Sequence, residues 1–245
     1  MSCVFVTGTD TEVGKTFVSC ALLERLAQGG VATLAMKPVA AGAVQTKAGL
    51  RNEDAVQLQS AMSVPSVPYE AVNPVCFEAP IAPHIAAATQ QQALTVSHLA
   101  SAAQQLQRSY PHDLFLVEGA GGWLVPLNQQ ESLADLALAL NAKVVLVVGM
   151  KLGCLNHALL TYAELQRQAV EVVGWVANQV SETPMQHAEE NLAWLQRHLP
   201  VPLLANLPYL ATASNQAAST SAVDYFPDSQ TLMSLLQGKG VLSPA

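Results

Sequence analysis

The chain has 245 residues, 51% of them hydrophobic and 12% charged, which is enough apolar material for a well-buried core in one large α/β domain or two small ones. Its net charge of −7, with no run of Lys or Arg, excludes nucleic-acid binding through a basic face. The cysteines Cys3, Cys20, Cys76 and Cys154 lack any C-x-x-C spacing, which excludes a disulfide framework or zinc site and fits reduced thiols in the cytoplasm. Thr7 and Asp10 interrupt the first apolar run too early for a secretory signal. The apolar run at residues 144–148 is far short of the ~20 residues a membrane span requires.

The first element is a strand through Val4, Phe5 and Val6. It ends in Gly8-Thr9-Asp10-Thr11-Glu12-Val13-Gly14-Lys15-Thr16, and a helix-like pattern over residues 16–28 begins at once. A strand, a small polar loop ending in Gly-Lys-Thr and a helix can wrap a triphosphate. Loop N–H groups and the helix N-terminus face the phosphate oxygens, Lys15 reaches the β/γ-phosphates, and the Thr16 hydroxyl suits Mg²⁺. The strict pattern wants Gly at position 9, where this chain has Thr9, with Gly8 one place earlier. The second strand, residues 31–36, finishes near Lys37 because Pro38 cannot donate to a central ladder. Residues 40–51 read as loop, and Asn52 caps a short helix with Glu53 and Asp54 in its first turn.

Residues 62–83 carry five prolines and read as irregular surface chain. A helix over residues 95–107 leads to a third strand at residues 113–118, ending in Glu118-Gly119-Ala120-Gly121-Gly122. An acidic residue where an apolar strand meets a glycine-rich turn is placed to hold Mg²⁺. Residues 133–140 are helical behind Ser132, residues 143–148 a buried strand, and the helix after Gly153 runs to Gln168. A strand at residues 172–176 ends at Ala177-Asn178-Gln179. A helix over residues 185–198 and a strand at residues 203–207 end at Pro208-Tyr209. The Ala/Ser/Thr-rich residues 211–228 read as a mobile tail, and residues 230–236 as a last helix.

Strands that are apolar runs alternate with helices throughout. That pattern predicts an α/β fold, a mostly parallel sheet with helices on both faces, of the P-loop NTPase type, and one domain over residues 1–245. In such a sheet the strands' C-terminal ends share one rim, so residues 8–16, Lys37, Glu118, residues 153–156 and Asn178 should gather there, with Asp54 nearby. The chemistry implied is phosphoryl transfer from Mg-ATP, with Thr16, Asp54 and Glu118 around the metal.

These motifs in this order resemble dethiobiotin synthetase. The resemblance rests on residues 8–16, Lys37-Pro38-Val39, Arg51-Asn52-Glu53-Asp54, Val117-Glu118-Gly119-Ala120-Gly121-Gly122, the stretch from Val148 through Lys151-Leu152-Gly153-Cys154-Leu155-Asn156-His157, and Gly174-Trp175-Val176-Ala177-Asn178. It implies a homodimeric enzyme that makes the ureido ring of dethiobiotin from 7,8-diaminopelargonate, CO₂ and ATP with Mg²⁺. The route runs through a carbamate and a carbamic–phosphoric anhydride.

By the same resemblance Lys15 and Lys37 are catalytic. Glu12, Val13, Gly14, Lys15, Thr16 and Phe17 cradle phosphate, and Asp54, Glu118, Gly119, Ala120 and Gly121 border the nucleotide. Asn178, Gln179, Pro208, Tyr209 and Leu210 surround the base. Lys37, Ala41, Gly121, Gly153, Cys154 and Asn156 meet the substrate, whose carboxylate is taken across the dimer interface. Two departures stand out: Ala41 where the family commonly has Ser, and Gln179 where it often has Asp. A rival reading is the nucleotide switch of the partitioning and site-selection ATPases, but those carry an extra lysine where this chain has Asp10. A second rival, an amide-forming cobyrinate-type ligase, needs a glutaminase that this chain does not contain.

Overall fold

The computed structural model describes residues 2–210 and 215–239. β1 (Ser2–Gly8) and α1 (Lys15–Gln28) flank the P-loop. β2 (Thr33–Met36) is followed by a short β3 (Val39–Ala40) and by β4 (Val44–Thr46) and β5 (Gly49–Arg51). α2 (Glu53–Ala61) and the one-turn α3 (Tyr69–Val72) lead to β6 (Val75–Cys76). Then come α4 (Pro83–Thr89), α5 (Val96–Ser109), β7 (Leu114–Gly122), α6 (Leu133–Ala139) and β8 (Lys143–Gly149). α7 (Cys154–Arg167), β9 (Val172–Asn178), α8 (Ala188–His198), β10 (Leu203–Leu207), α9 (Asn215–Ala222) and α10 (Ser229–Leu236) complete the chain.

Six strands form one sheet in the order β10-β9-β8-β1-β7-β2, and every neighbouring pair is parallel. Parallel strands need covering on both faces, which is why β8 is a near-continuous apolar run. From Val145 to Val148 its side chains divide by period two. Val145 and Val147 join the larger core with α1 residues such as Leu22 and Leu26, while Leu146 and Val148 join a second core with Trp175, Ala158 and Leu195. Helix starts follow local chemistry. The Asn52 side chain accepts from Ala55 N–H at 3.3 Å, and Ser132 with Asp135 forms a capping box.

Three stretches depart from the expectation. Residues 40–51 are not all loop, because β4 and β5 pair antiparallel. The proline-rich residues 62–83 are not irregular throughout. Pro68 precedes the first turn of α3, a position where a missing N–H costs nothing, and β6 pairs with β3. In the tail, residues 211–214 lie outside the described residues, but α9 follows and packs on α1. Ser219 Oγ donates to Glu24 Oε1 at 3.0 Å, Arg25 Nε donates to Pro227 O at 2.7 Å, and Val223 and Phe226 are buried.

Gly174 in β9 lies against Leu204 of β10, where an added Cβ would fall 2.6 Å from Leu204 Cγ. Gly174→Ala should destabilise by about 1–3 kcal/mol in urea unfolding. Adding Leu204→Ala should cost clearly less than the sum of the two single changes. Additive losses would mean that the contact does not govern the packing of this edge.

Candidate functional site

The sheet's register builds the rim. Val6 pairs with Glu118 and Met36 with Val117, so Lys37 leaves β2 level with Glu118 of β7. The turn after Lys37 is pinned from the proline-rich segment. Lys37 N–H donates to Val72 O at 2.8 Å, and Asn73 Nδ2 donates to Lys37 O at 2.7 Å. Tyr69 OH accepts from Asn52 N–H and donates to Asn73 Oδ1, which ties α3 to the start of α2 and hence to Asp54. Asn73 and Tyr69 are supporting residues that sequence reasoning missed, because nothing in a proline-rich stretch marks an asparagine as an anchor.

Lys37 is the centre of the site. Its Nζ donates to Glu118 Oε1 at 2.6 Å, Asp54 Oδ2 at 3.0 Å and Gly119 O at 3.2 Å. Burial alone would lower the lysine's pKa, but Glu118 and Asp54 outweigh it and hold the pKa above its ordinary value. Burial would raise the Asp54 pKa, yet Lys37 holds it below the usual carboxylate range. Thr16 Oγ1 donates to Glu118 Oε1 at 2.7 Å. Glu118 is fully buried, and its second oxygen, Oε2, has no hydrogen-bond partner among the described residues. A buried carboxylate oxygen without a donor suits a cation, and a hydroxyl with two carboxylates is an all-oxygen set of the kind Mg²⁺ prefers. Among the described residues no group of three or more His, Cys, Asp and Glu side chains is gathered for metal.

The P-loop is wound for anions. Glu12 (φ 59°) and Gly14 (φ 88°) take left-handed backbone, which turns successive N–H groups into one concavity at the start of α1. Gly14 is demanded twice, since a Cβ there would also collide with the Asn178 side-chain amide. Lys15 Nζ rests on Asp10 O at 3.2 Å. Burial, and then the neighbouring Lys37, lower its pKa from 10.5 to about 8.

The expected residues do not all stand in one place. Thr16, Asp54, Glu118 and the Gly119 carbonyl gather at Lys37, with Lys15 close enough to feel its charge. Asn178 is buried, with Nδ2 donating to Val13 O at 2.9 Å, so it braces the P-loop. Gln179 N–H is held by Leu207 O, and Tyr209 is exposed beyond β10. Ala41 lies close to Asn52, whose Nδ2 donates to Ala41 O at 3.3 Å. The Cys154 thiol is buried in the second core and its N–H donates to Lys151 O, so neither group faces outward. Gly153 (φ 97°) caps α7 with Asn156 exposed in its first turn. A concavity of about 820 Å³ between α4 and residues 127–131 has none of these residues in its wall.

The model of the AAA domain family matches residues 2–217. The ATP-dependent dethiobiotin synthetase of Cellvibrio japonicus is 51% identical over 88% of this chain and 92% of its own length. That of Salmonella typhi is 44% identical over 91% and 96%. That of Pseudomonas paraeruginosa is 46% identical over 89% and 95%. Among solved structures, the septum site-determining protein MinD of Pyrococcus horikoshii superposes with a TM-score of 0.54 at 15% identity, covering 97% of this chain and 95% of that one. The MinC:MinD complex of Aquifex aeolicus gives 0.53 at 15% identity, covering 100% and 99%. These two similarities concern the fold alone.

Phosphate binding should raise the Lys15 pKa from about 8, so ATP binding near that pH should take up a proton. Above pH 8 the free lysine loses its charge and affinity should fall. Calorimetry in buffers of different ionisation enthalpy checks both effects, and Lys15→Gln should abolish the uptake. Uptake that survives this change assigns the proton to another group.

Proposed function

Because the chain belongs to the dethiobiotin synthetase family, we propose that its rim closes the ureido ring of dethiobiotin from 7,8-diaminopelargonate, CO₂ and ATP, as an ATP-dependent ligase of biotin biosynthesis. The observation that carries this reading is the Lys37 ammonium held between Glu118 and Asp54, beside a P-loop lysine and hydroxyl. One amine takes CO₂ to form a carbamate. A carbamate oxygen attacks the γ-phosphorus and ADP departs. The second amine then attacks the carbamoyl carbon and expels phosphate. The carbamate oxygen is a poor leaving group until it is phosphorylated.

Each residue has a task in that scheme. Lys37 neutralises charge that develops on the carbamate and the transferring phosphoryl group, and Lys15 does so from the P-loop side. The N–H groups of residues 12–17 hold the phosphates. Thr16, Asp54 and Glu118 would hold Mg²⁺, which when bound supplies charge neutralisation on the phosphates. Gly119, Ala120 and Gly121 let the backbone approach. Asn178, Gln179, Pro208, Tyr209 and Leu210 border the base, with Asn178 bound to the P-loop through Nδ2.

The substrate's carboxylate suits the start of α7, near Gly153 and Asn156, where the Cys154 N–H is already used. We place that turn across a homodimer interface in a cytoplasmic enzyme of one P-loop domain. Leu152 is 93% exposed beside it and Leu160 63% exposed on α7, apolar surface that a second copy would cover. Among the described residues no helix is long and apolar enough to cross a membrane.

Incubation with Mg-ATP, bicarbonate and the diamine should release ADP and yield the cyclic urea by mass spectrometry. Equal ADP release without the diamine would sink the ligase reading. Lys37→Met and Glu118→Gln should each lower kcat by about 10²–10³-fold. Ala41→Ser restores a hydroxyl and should lower the KM for the diamine by about 2- to 10-fold, the worth of one neutral hydrogen bond, leaving the KM for ATP alone.

A further inference from the structure

Asp10 places a carboxylate in a loop built for anions. Its Oδ1 accepts the Thr11 N–H at 2.8 Å, and its own carbonyl holds Lys15 Nζ. The Thr11 N–H first, and Lys151 after it, keep the Asp10 carboxyl below the usual range, with His157 acting in the same direction from further away, so the group is ionised. An uncompensated negative charge here would oppose a triphosphate.

Lys151 faces that carboxylate from the turn after β8, with Nζ 3.3 Å from Asp10 Oδ2. Its position is set by the sheet. Gly8 pairs with Val147, and Thr9 N–H donates to Val147 O at 3.0 Å, so the P-loop leaves β1 against the end of β8. Two residues beyond Gly149, the Lys151 backbone is fixed on both sides. Met150 N–H donates to Asn178 O at 2.8 Å, and Lys151 O accepts from Cys154 N–H at 2.9 Å. The other rim lysines are engaged elsewhere, Lys37 by Glu118 and Asp54, Lys15 by a carbonyl.

We propose that Lys151 is a positioning residue that neutralises Asp10, so that the P-loop presents no net negative charge to the incoming triphosphate. The pair is about half-exposed on each side, and such pairs add little to folding stability. Its effect falls on the potential that an approaching anion meets. This rests on the reading that ATP phosphates occupy residues 10–16, and it adds a third lysine to the two already assigned.

The test is a cycle of Lys151→Met, Asp10→Asn and the double variant. ATP affinity is measured by calorimetry without the diamine, and the KM for ATP in the complete assay. Lys151→Met should weaken ATP by about three- to fivefold, the scale of one half-exposed charge, and added salt should shrink the loss. In the Asp10→Asn background the same change should have little effect, because there is no carboxylate left to neutralise. A loss of equal size in both backgrounds overturns the proposal and makes Lys151 a direct phosphate contact. No loss in either background overturns it as well. If wild type binds ATP but forms no cyclic urea, the ligase reading fails while the cycle in ATP affinity still decides the role of Lys151.

Discussion

The buried contact between Lys37 and Glu118 is the constraint that the rest of the rim serves. Neither charge could stay there alone, since taking an isolated ion out of water costs several kcal/mol. The pair survives because each neutralises the other at 2.6 Å and because Asp54, Thr16 and the Gly119 carbonyl complete the coordination. Most of what brings the two side chains together is backbone geometry, with the Asn73 side chain as its brace. Parallel register sets Lys37 beside Glu118, and Val72 and Asn73 hold the turn that would otherwise let the lysine swing out. Gly119 lets β7 pass close to Phe5, where a Cβ would fall 2.9 Å from the ring.

The molecule carries a net charge of −7, yet its rim is organised by lysines. Lys15, Lys37 and Lys151 each stand against a carbonyl or carboxylate. Such an arrangement stores positive charge without exposing it broadly. A polyanion that arrives can take over those contacts, because backbone N–H groups and the α1 N-terminus already point inward. The chain's net negative charge opposes the approach of large polyanions.

The sheet and its order of helices were legible because they rest on local signals: apolar runs for buried strands, Asn52 and Ser132 for caps, and Gly14-Lys15-Thr16 for the loop. Lys37 was legible through Pro38, which forces the strand to stop. Less legible were features whose cause lies far away in the chain. Residues 69–76 look like punctuation until β3 is there to pair with β6. The helix at residues 215–222 is Ala/Ser/Thr-rich and gains its order from α1, which lies nearly two hundred residues earlier. Cys154 follows the glycine of an exposed turn, and only packing shows that its thiol turns inward.

By itself, the sequence determined the alternation of strand and helix, the P-loop, and the chemical kinds of the residues at the strand ends. Those properties follow from residue type and short spacing. Only the tertiary structure decided that Glu118 keeps one oxygen without a donor among the described residues, that Asn178 braces Val13, and that Asp10 meets Lys151. Each is a contact between residues separated by about a hundred positions or more, or the lack of one, and it depends on strand register and crossover, which local pattern does not encode.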